Sequence, residues 1–66
     1  MDLTNPYRAA ALMIERHAVD AQSVAYDLAC GAEVAGDGAT FRQWMDVFDA
    51  ILELKAVRRL NGGAVH

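Results

Sequence analysis

The sequence predicts an all-α protein, either a compact three-helix domain or a helical hairpin if its first two helices are continuous. Alanine, the strongest helix former, makes up about a fifth of the 66 residues. The runs of alternating β-branched and aromatic residues that mark strands are missing, and the only proline is Pro6. The length predicts one domain, residues 1–66, whose ends at 1–5 and 62–66 are expected to fray.

The first helix is predicted over residues 6–17. Pro6 suits the first helical position, because the N–H that it lacks would have no partner there. Asn5 or Thr4 can cap the helix with a side-chain oxygen. Apolar residues then recur at helical spacing and predict an inner stripe of Tyr7, Ala10, Ala11, Ile14 and Ala18.

A break between the first two helices is predicted near residues 17–20. Asp20 is a good N-cap residue, and Val19 before it could pack against Val24 as a hydrophobic staple. One continuous helix stays the alternative, because neither Gly nor Pro occurs between Pro6 and Gly31.

The second helix is predicted over residues 21–35, with small side chains on its inner face. A glycine inside a helix is unfavourable, so Gly31 predicts that another helix approaches closely there. Gly36 can adopt the left-handed conformation that ends a helix. The predicted inner face consists of Ala21, Val24, Ala25, Leu28, Gly31, Ala32 and Ala35.

The third helix is predicted over residues 40–60. Thr40 and Gln43 have the spacing of a capping box, and Asp37 is the competing cap. Gly62 and Gly63 are expected to stop the helix. Its apolar stripe contains Phe41, Trp44, Val47, Phe48, Ile51 and Leu54. The core of the whole domain is predicted to centre on Tyr7, Ile14, Leu28, Trp44, Phe48 and Ile51.

Composition excludes several classes of function. The net charge of -3 argues against a general nucleic-acid binder. No apolar run approaches the length of a membrane span, and the first residues lack the features of a signal peptide. A single cysteine, Cys30, forms no internal disulfide and fits a reducing cytoplasm, which is the predicted location. No phosphate loop, CxxC pair or HExxH motif is present, so no cofactor is predicted.

Individual polar and aromatic residues favour structural roles over chemistry. His17 and Asp20 could share a metal ion, but two ligands do not make a site, and a capping or surface role is favoured. Cys30 has no positive neighbour and fits a small apolar filler. Trp44 beside Phe48 could stack on a ligand, although core packing is favoured. Catalytic and metal-binding residues are therefore not predicted.

The third helix also carries an acidic stripe formed by Asp46, Asp49 and Glu53. This stripe could meet a basic partner, but a solvated helix face is the more usual role. The second and third helices could form a helix-turn-helix in which Arg42 and Gln43 contact DNA. The three acidic side chains on the same helix would repel phosphates, which makes that role the weaker alternative.

Scattered motifs resemble a family of short uncharacterised alphaproteobacterial proteins over about residues 7–55. The resemblance implies a helical fold and a bacterial, cytoplasmic source, and it implies no catalytic residue. A glycine usually follows the histidine in that family, whereas Ala18 stands here, and this departure weakens the predicted helix break. The matching residues are Ala10, Ala11, Ile14-Glu15-Arg16-His17, Asp20-Ala21, Gly36-Asp37, Trp44, Ile51 and Leu54.

A surplus of apolar side chains predicts binding rather than catalysis, because three short helices cannot enclose all of them. We expect a protein-interaction or self-association module, most simply a homodimer. A small DNA-binding regulator and a small ligand-binding protein or enzyme are the alternatives. The predicted contact residues are Leu12, Met13, Val19, Tyr26, Met45 and Leu52, with Val34 as a further exposed candidate.

Overall fold

The computed structural model describes the backbone of residues 2–64 and the side chains of residues 2–57. Three α-helices follow one another: α1 (Pro6–His17), α2 (Ala21–Val34) and α3 (Gly38–Ala64). A single 3₁₀ turn, Ala18–Asp20, joins α1 to α2, so these two helices form one bent helical run. The all-α prediction is confirmed, and no strand occurs among the described residues.

The start of α1 follows from its cap. The Asn5 side chain accepts a hydrogen bond from the backbone N–H of Arg8 at 3.2 Å, and Pro6 occupies the first turn. The cap satisfies a backbone N–H that has no partner within the helix. Leu3, just before the cap, packs against the hydrophobic core.

The bend between α1 and α2 is centred on Ala18. This residue has φ 49° and ψ -118°, which glycine adopts readily and alanine does not. The N–H of Ala18 still donates to the carbonyl of Ile14, so the bend closes the last turn of α1. The predicted break is therefore present, but its predicted cause is wrong. Asp20 makes no side-chain capping bond, and Val19 is 85% exposed and cannot act as a staple.

The chain reverses direction after α2, and this reversal depends on Gly36, as the sequence predicts. Gly36 has φ 78°, and its N–H donates to the carbonyl of Glu33 at 3.0 Å. The N–H of Asp37 donates to the carbonyl of Ala32 at 2.9 Å. This pair of bonds is a Schellman motif, which satisfies the last carbonyls of α2 and reverses the chain within a few residues.

Asp37, and not Thr40, caps α3. Its carboxylate accepts the Thr40 backbone N–H at 3.1 Å and the Thr40 hydroxyl at 2.6 Å. These bonds from Thr40, the side-chain bond first, lower the pKa of the Asp37 carboxyl. The helix therefore starts earlier than the predicted 40–60, at Gly38. It also continues through Gly62 and Gly63 to Ala64, so the predicted glycine stop is wrong.

The core lies where α3 packs against both α1 and α2. Its largest fully buried side chains are Val47 and Ile51 of α3. Trp44, Phe48 and Ile14 are partly buried and pack against this core. The buried residues among those described are Ala9, Ala10, Met13, Ala21, Ala25, Ala29, Val47, Ala50 and Ile51.

Two predicted core residues are on the surface, because the buried faces of α1 and α2 are rotated from the predicted ones. Tyr7 is 54% exposed and Leu28 is 42% exposed. The buried face of α1 contains Ala9 and Met13, and that of α2 is a pure alanine row at every fourth position. Alanine-rich helices offer several such rows, and packing against α3 selects one of them.

Gly31 does not mark a close helix approach. A β-carbon placed on this residue would meet no atom within 4 Å, so the space beside it is open. The predicted close crossing at Gly31 is therefore wrong. The alanine row of α2, on a neighbouring face, is the surface that packs against the larger side chains of α3.

The two chain ends that are predicted to fray lie only partly within the described residues. Residues 2–5 precede α1, residues 62–64 continue α3, and the rest of those two tails lies outside the described residues. Within the described chain, no helix combines the length and apolar character that a membrane crossing requires.

Candidate interaction surface

Small side chains fill the inside of this protein, while many large apolar side chains lie outside. Among the residues whose side chains are described, six of the nine buried ones are alanines. A buried methyl group contributes about 0.8 kcal/mol, whereas a fully buried Leu or Phe contributes about 1.5–3 kcal/mol. The alanine core therefore leaves much of the chain's hydrophobic free energy unused. The large apolar residues that remain exposed are Tyr7, Val19, Tyr26, Leu28, Val34, Leu52 and Val57.

The predicted contact residues divide into three groups. Met13 is 2% exposed and belongs to the core, so its assignment to the surface is wrong. The buried face of α1 turns Met13 inward together with Ala9. Val19 is exposed at the bend, and Leu12 of α1 is half-buried. In the third group, Tyr26 of α2 pairs with Phe48 of α3, and Met45 and Leu52 lie on the same face of α3 as Phe48.

One face of α3 carries a continuous row of large apolar side chains, which we call the α3 stripe. It consists of Phe41, Met45, Phe48 and Leu52, spaced by four, three and four residues. This spacing keeps the four side chains on one side of an α-helix. Leu52 is 43% exposed and the other three are half-buried, so the stripe borders the core without being enclosed by it.

Tyr26 of α2 extends the α3 stripe sideways. Its ring centroid lies 6.1 Å from that of Phe48, with the rings tilted by 55°. This geometry is within the favourable range for aromatic pairs. The neighbouring Cys30 thiol is the main cause that raises the pKa of the Tyr26 hydroxyl. The hydroxyl is therefore neutral at physiological pH, and Tyr26 adds apolar area without charge.

Polar residues border the α2–α3 side at one end. Nζ of Lys55 in α3 donates a 3.4 Å hydrogen bond to Oε1 of Gln22 in α2. This bond lies beyond Leu52 along α3 and joins the second half of α3 to the first turn of α2. The α3 stripe is therefore flanked by α2 on one edge and is open on the other.

The open edge of α3 carries the acidic stripe predicted from the sequence. Asp46, Asp49 and Glu53 are all exposed, as is Arg42 one turn earlier. Oε2 of Glu53 accepts a 2.6 Å hydrogen bond from the Tyr7 hydroxyl, so this carboxylate connects α3 to α1. Asp49 and Arg42 lie closer to the α3 stripe around the helix than Glu53 does.

The residues considered for chemistry are not brought together. His17 and Asp20 are exposed at the bend. Among the described residues, no group of three His, Cys, Asp or Glu side chains is placed to hold a metal ion. A shallow depression of ≈ 420 Å³ at the start of α3 is lined by Gly38, Ala39, Arg42, Gln43 and Asp46. Its two charged side chains are exposed, and Asp37 already caps the helix end beside it.

Sequence reasoning missed two members of the surface. Phe41 and Phe48 were assigned to the inward stripe of the third helix, because both fit its broad apolar face. The sequence does contain a pattern that distinguishes these two residues from the core. Phe41, Met45, Phe48 and Leu52 form their own row on the helix, beside the row that contains Val47 and Ile51.

Comparison of the chain with protein families, with characterised proteins and with solved structures finds no match. The resemblance to short alphaproteobacterial proteins therefore stays a prediction.

Proposed function

We propose that this protein is a non-catalytic helical module that associates through the α3 stripe, and that its partner is a second copy of the same chain. One observation carries the proposal. The core is built mainly from alanine, while Tyr26 and the α3 stripe leave large apolar side chains incompletely covered along one face of α3. A contiguous apolar surface of this kind marks contact sites in small proteins.

The energetics predict a weak, reversible dimer. Covering the exposed part of Leu52 or Tyr26 contributes about 1 kcal/mol, and covering the smaller exposed part of Phe41, Met45 or Phe48 contributes about 0.6 kcal/mol. The four stripe residues and Tyr26 on each of two copies therefore supply about 8 kcal/mol. Association costs at least about 4 kcal/mol in lost translational and rotational freedom. We therefore expect the dimer to form near millimolar protein concentration.

Sedimentation equilibrium over about 10 μM to 1 mM tests this proposal. The wild type is expected to rise from its monomer mass of 7.2 kDa toward twice that value. Leu52→Glu places a charge on the α3 stripe and should hold the protein at the monomer mass. Leu52 is exposed in the single chain, so the variant is expected to keep its helical circular dichroism.

Val34→Glu is the matched control. Val34 is 90% exposed at the end of α2, away from the α3 stripe, and the substitution adds the same charge. This variant should associate like the wild type. A wild type that stays at 7.2 kDa throughout the range contradicts self-association, and equal weakening by both substitutions contradicts the α3 stripe as the contact.

The cytoplasm is the proposed compartment. It is supported by Cys30, a free cysteine that is only half-buried, because a thiol persists in a reducing environment.

A further inference from the structure

The spacing of the α3 stripe is the same in both directions along the helix. We propose that two copies pair through α3 in an antiparallel arrangement, with Phe41 against Leu52 of the second copy and Met45 against Phe48. This inference rests on the proposed self-association and adds the geometry of the contact. The midpoint of the stripe falls between Asp46 and Val47, which is where a two-fold axis would cross the helix pair.

The four-three-four spacing is that of a coiled-coil seam. Such a seam places each apolar side chain between residues of a facing helix. A two-fold contact requires that residue i meets residue j and that j meets i. In an antiparallel pair the stripe meets both conditions, because Phe41 and Leu52 lie as far from the midpoint as each other, and so do Met45 and Phe48.

Charges on the open edge favour the antiparallel direction. Arg42 directly follows Phe41 and Asp49 directly follows Phe48, so both lie on the same edge of the α3 stripe, and both are exposed. They are seven residues apart, two turns along one helix, which is too far for them to pair with each other, and the acidic side chain at pairing distance from Arg42 within its own helix is Asp46. In the antiparallel pair, Arg42 of each copy faces Asp49 of the other.

A parallel pair would lose these two ion pairs. In that arrangement the edge with Arg42 and Asp49 would face the opposite edge of the second helix. The opposite edge holds Trp44 and Ile51, which pack against the core of their own chain. The antiparallel direction therefore gives two reciprocal ion pairs, and the parallel direction gives none.

The edge of the α3 stripe that α2 flanks is also compatible with the antiparallel arrangement. Tyr26 of α2 lies beside Phe48, on the edge of the α3 stripe opposite to Arg42 and Asp49, so it leaves the ion-pair edge uncovered. The seam from Phe41 to Leu52 covers about 17 Å of helix. This short seam agrees with the weak association expected above.

Charge reversal tests the pairing. Arg42→Glu or Asp49→Lys alone turns both ion pairs into repulsive contacts and should lower the association constant about tenfold in low salt. The double variant exchanges the two charges and should associate within about threefold of the wild type. In 1 M salt the single variants should approach the wild type, because exposed charges are screened.

Arg8→Glu and Asp27→Lys are matched controls, since both residues are exposed and lie on α1 and α2. They should leave the association constant unchanged. The antiparallel pairing is overturned if the single reversals at Arg42 and Asp49 have no effect, or if the double variant is as weak as the weaker single one. If the wild type still dimerises and Leu52→Glu still disrupts the dimer, either of these results contradicts only the antiparallel pairing and not the proposed function. A wild type that never dimerises contradicts both the antiparallel pairing and the proposed self-association.

Discussion

The hydroxyl of Tyr7 in α1 lies 2.6 Å from Oε2 of Glu53 in α3, and this hydrogen bond joins the two helices at the protein surface. The ring of Tyr7 is half-exposed, so the residue connects α1 to α3 from the outside instead of filling the core. The bond to Glu53 and the negative charge of that carboxylate raise the pKa of the Tyr7 hydroxyl.

This bond predicts a pH-dependent stability difference between the wild type and Tyr7→Phe. The wild type should be the more stable protein at pH 7, because the phenylalanine ring cannot donate to Glu53. A raised pKa in the folded state means that the contribution is fully present below the ordinary value of 10.0 and is lost as the pH rises through the folded-state pKa. Urea unfolding followed by Trp44 fluorescence should therefore show the difference closing in alkali. A difference that stays constant up to strongly alkaline pH contradicts this role.

Ala18→Gly should stabilise the protein by about 1 kcal/mol, because glycine adopts the positive φ of this bend without strain. The gain from released strain exceeds the added freedom of glycine in the unfolded chain. Denaturant unfolding of the dilute monomer measures the effect. A loss of stability would mean that residue 18 does not hold a positive φ in solution.

Gly31→Ala should also stabilise the protein, by about 0.5–1 kcal/mol. The residue lies inside α2, and a β-carbon there would meet nothing within 4 Å. Alanine is the better helix former, and no contact opposes it. The same unfolding experiment applies, and a destabilised variant would reveal a close neighbour that the structure lacks.

Met13→Glu and Met45→Glu should have different consequences. Met13 is buried in the core, so an unpaired charge there should cost more than about 3 kcal/mol and abolish helical circular dichroism in so small a domain. Met45 is half-buried on the α3 stripe, so its variant should keep the helices and lose association. A folded, dimeric Met13→Glu protein would contradict the assigned core.

The start of α1 and the reversal after α2 were predictable from the sequence, because both depend on local chemistry, whereas the predicted end of α3 was wrong. Pro6 after Asn5 fixes the start of α1, and Gly36 followed by Asp37 fixes the reversal between α2 and α3. The bend at Ala18 is located correctly by the sequence but for the wrong reason. Nothing in the sequence indicates that an alanine at this position adopts a positive φ.

The face of each helix that is buried could not be predicted with the same success. In alanine-rich helices several rows of residues are apolar, and only packing against α3 chooses among them. Tyr7 and Leu28 were therefore placed in the core, and Met13 on the surface. Tyr26, Met45 and Leu52 were correctly expected to be incompletely buried, but their common location depends on how α2 packs on α3.

The most direct test of the central claim is a nuclear Overhauser effect between the ring of Phe41 and the methyl groups of Leu52. These residues are eleven positions apart on α3, or about 16 Å, so the effect cannot arise within one straight helix. The account predicts this cross-peak at about millimolar concentration and its loss on dilution or in Arg42→Glu. A dimeric sample without the cross-peak would contradict the antiparallel contact, and a monomeric sample at that concentration would contradict self-association itself.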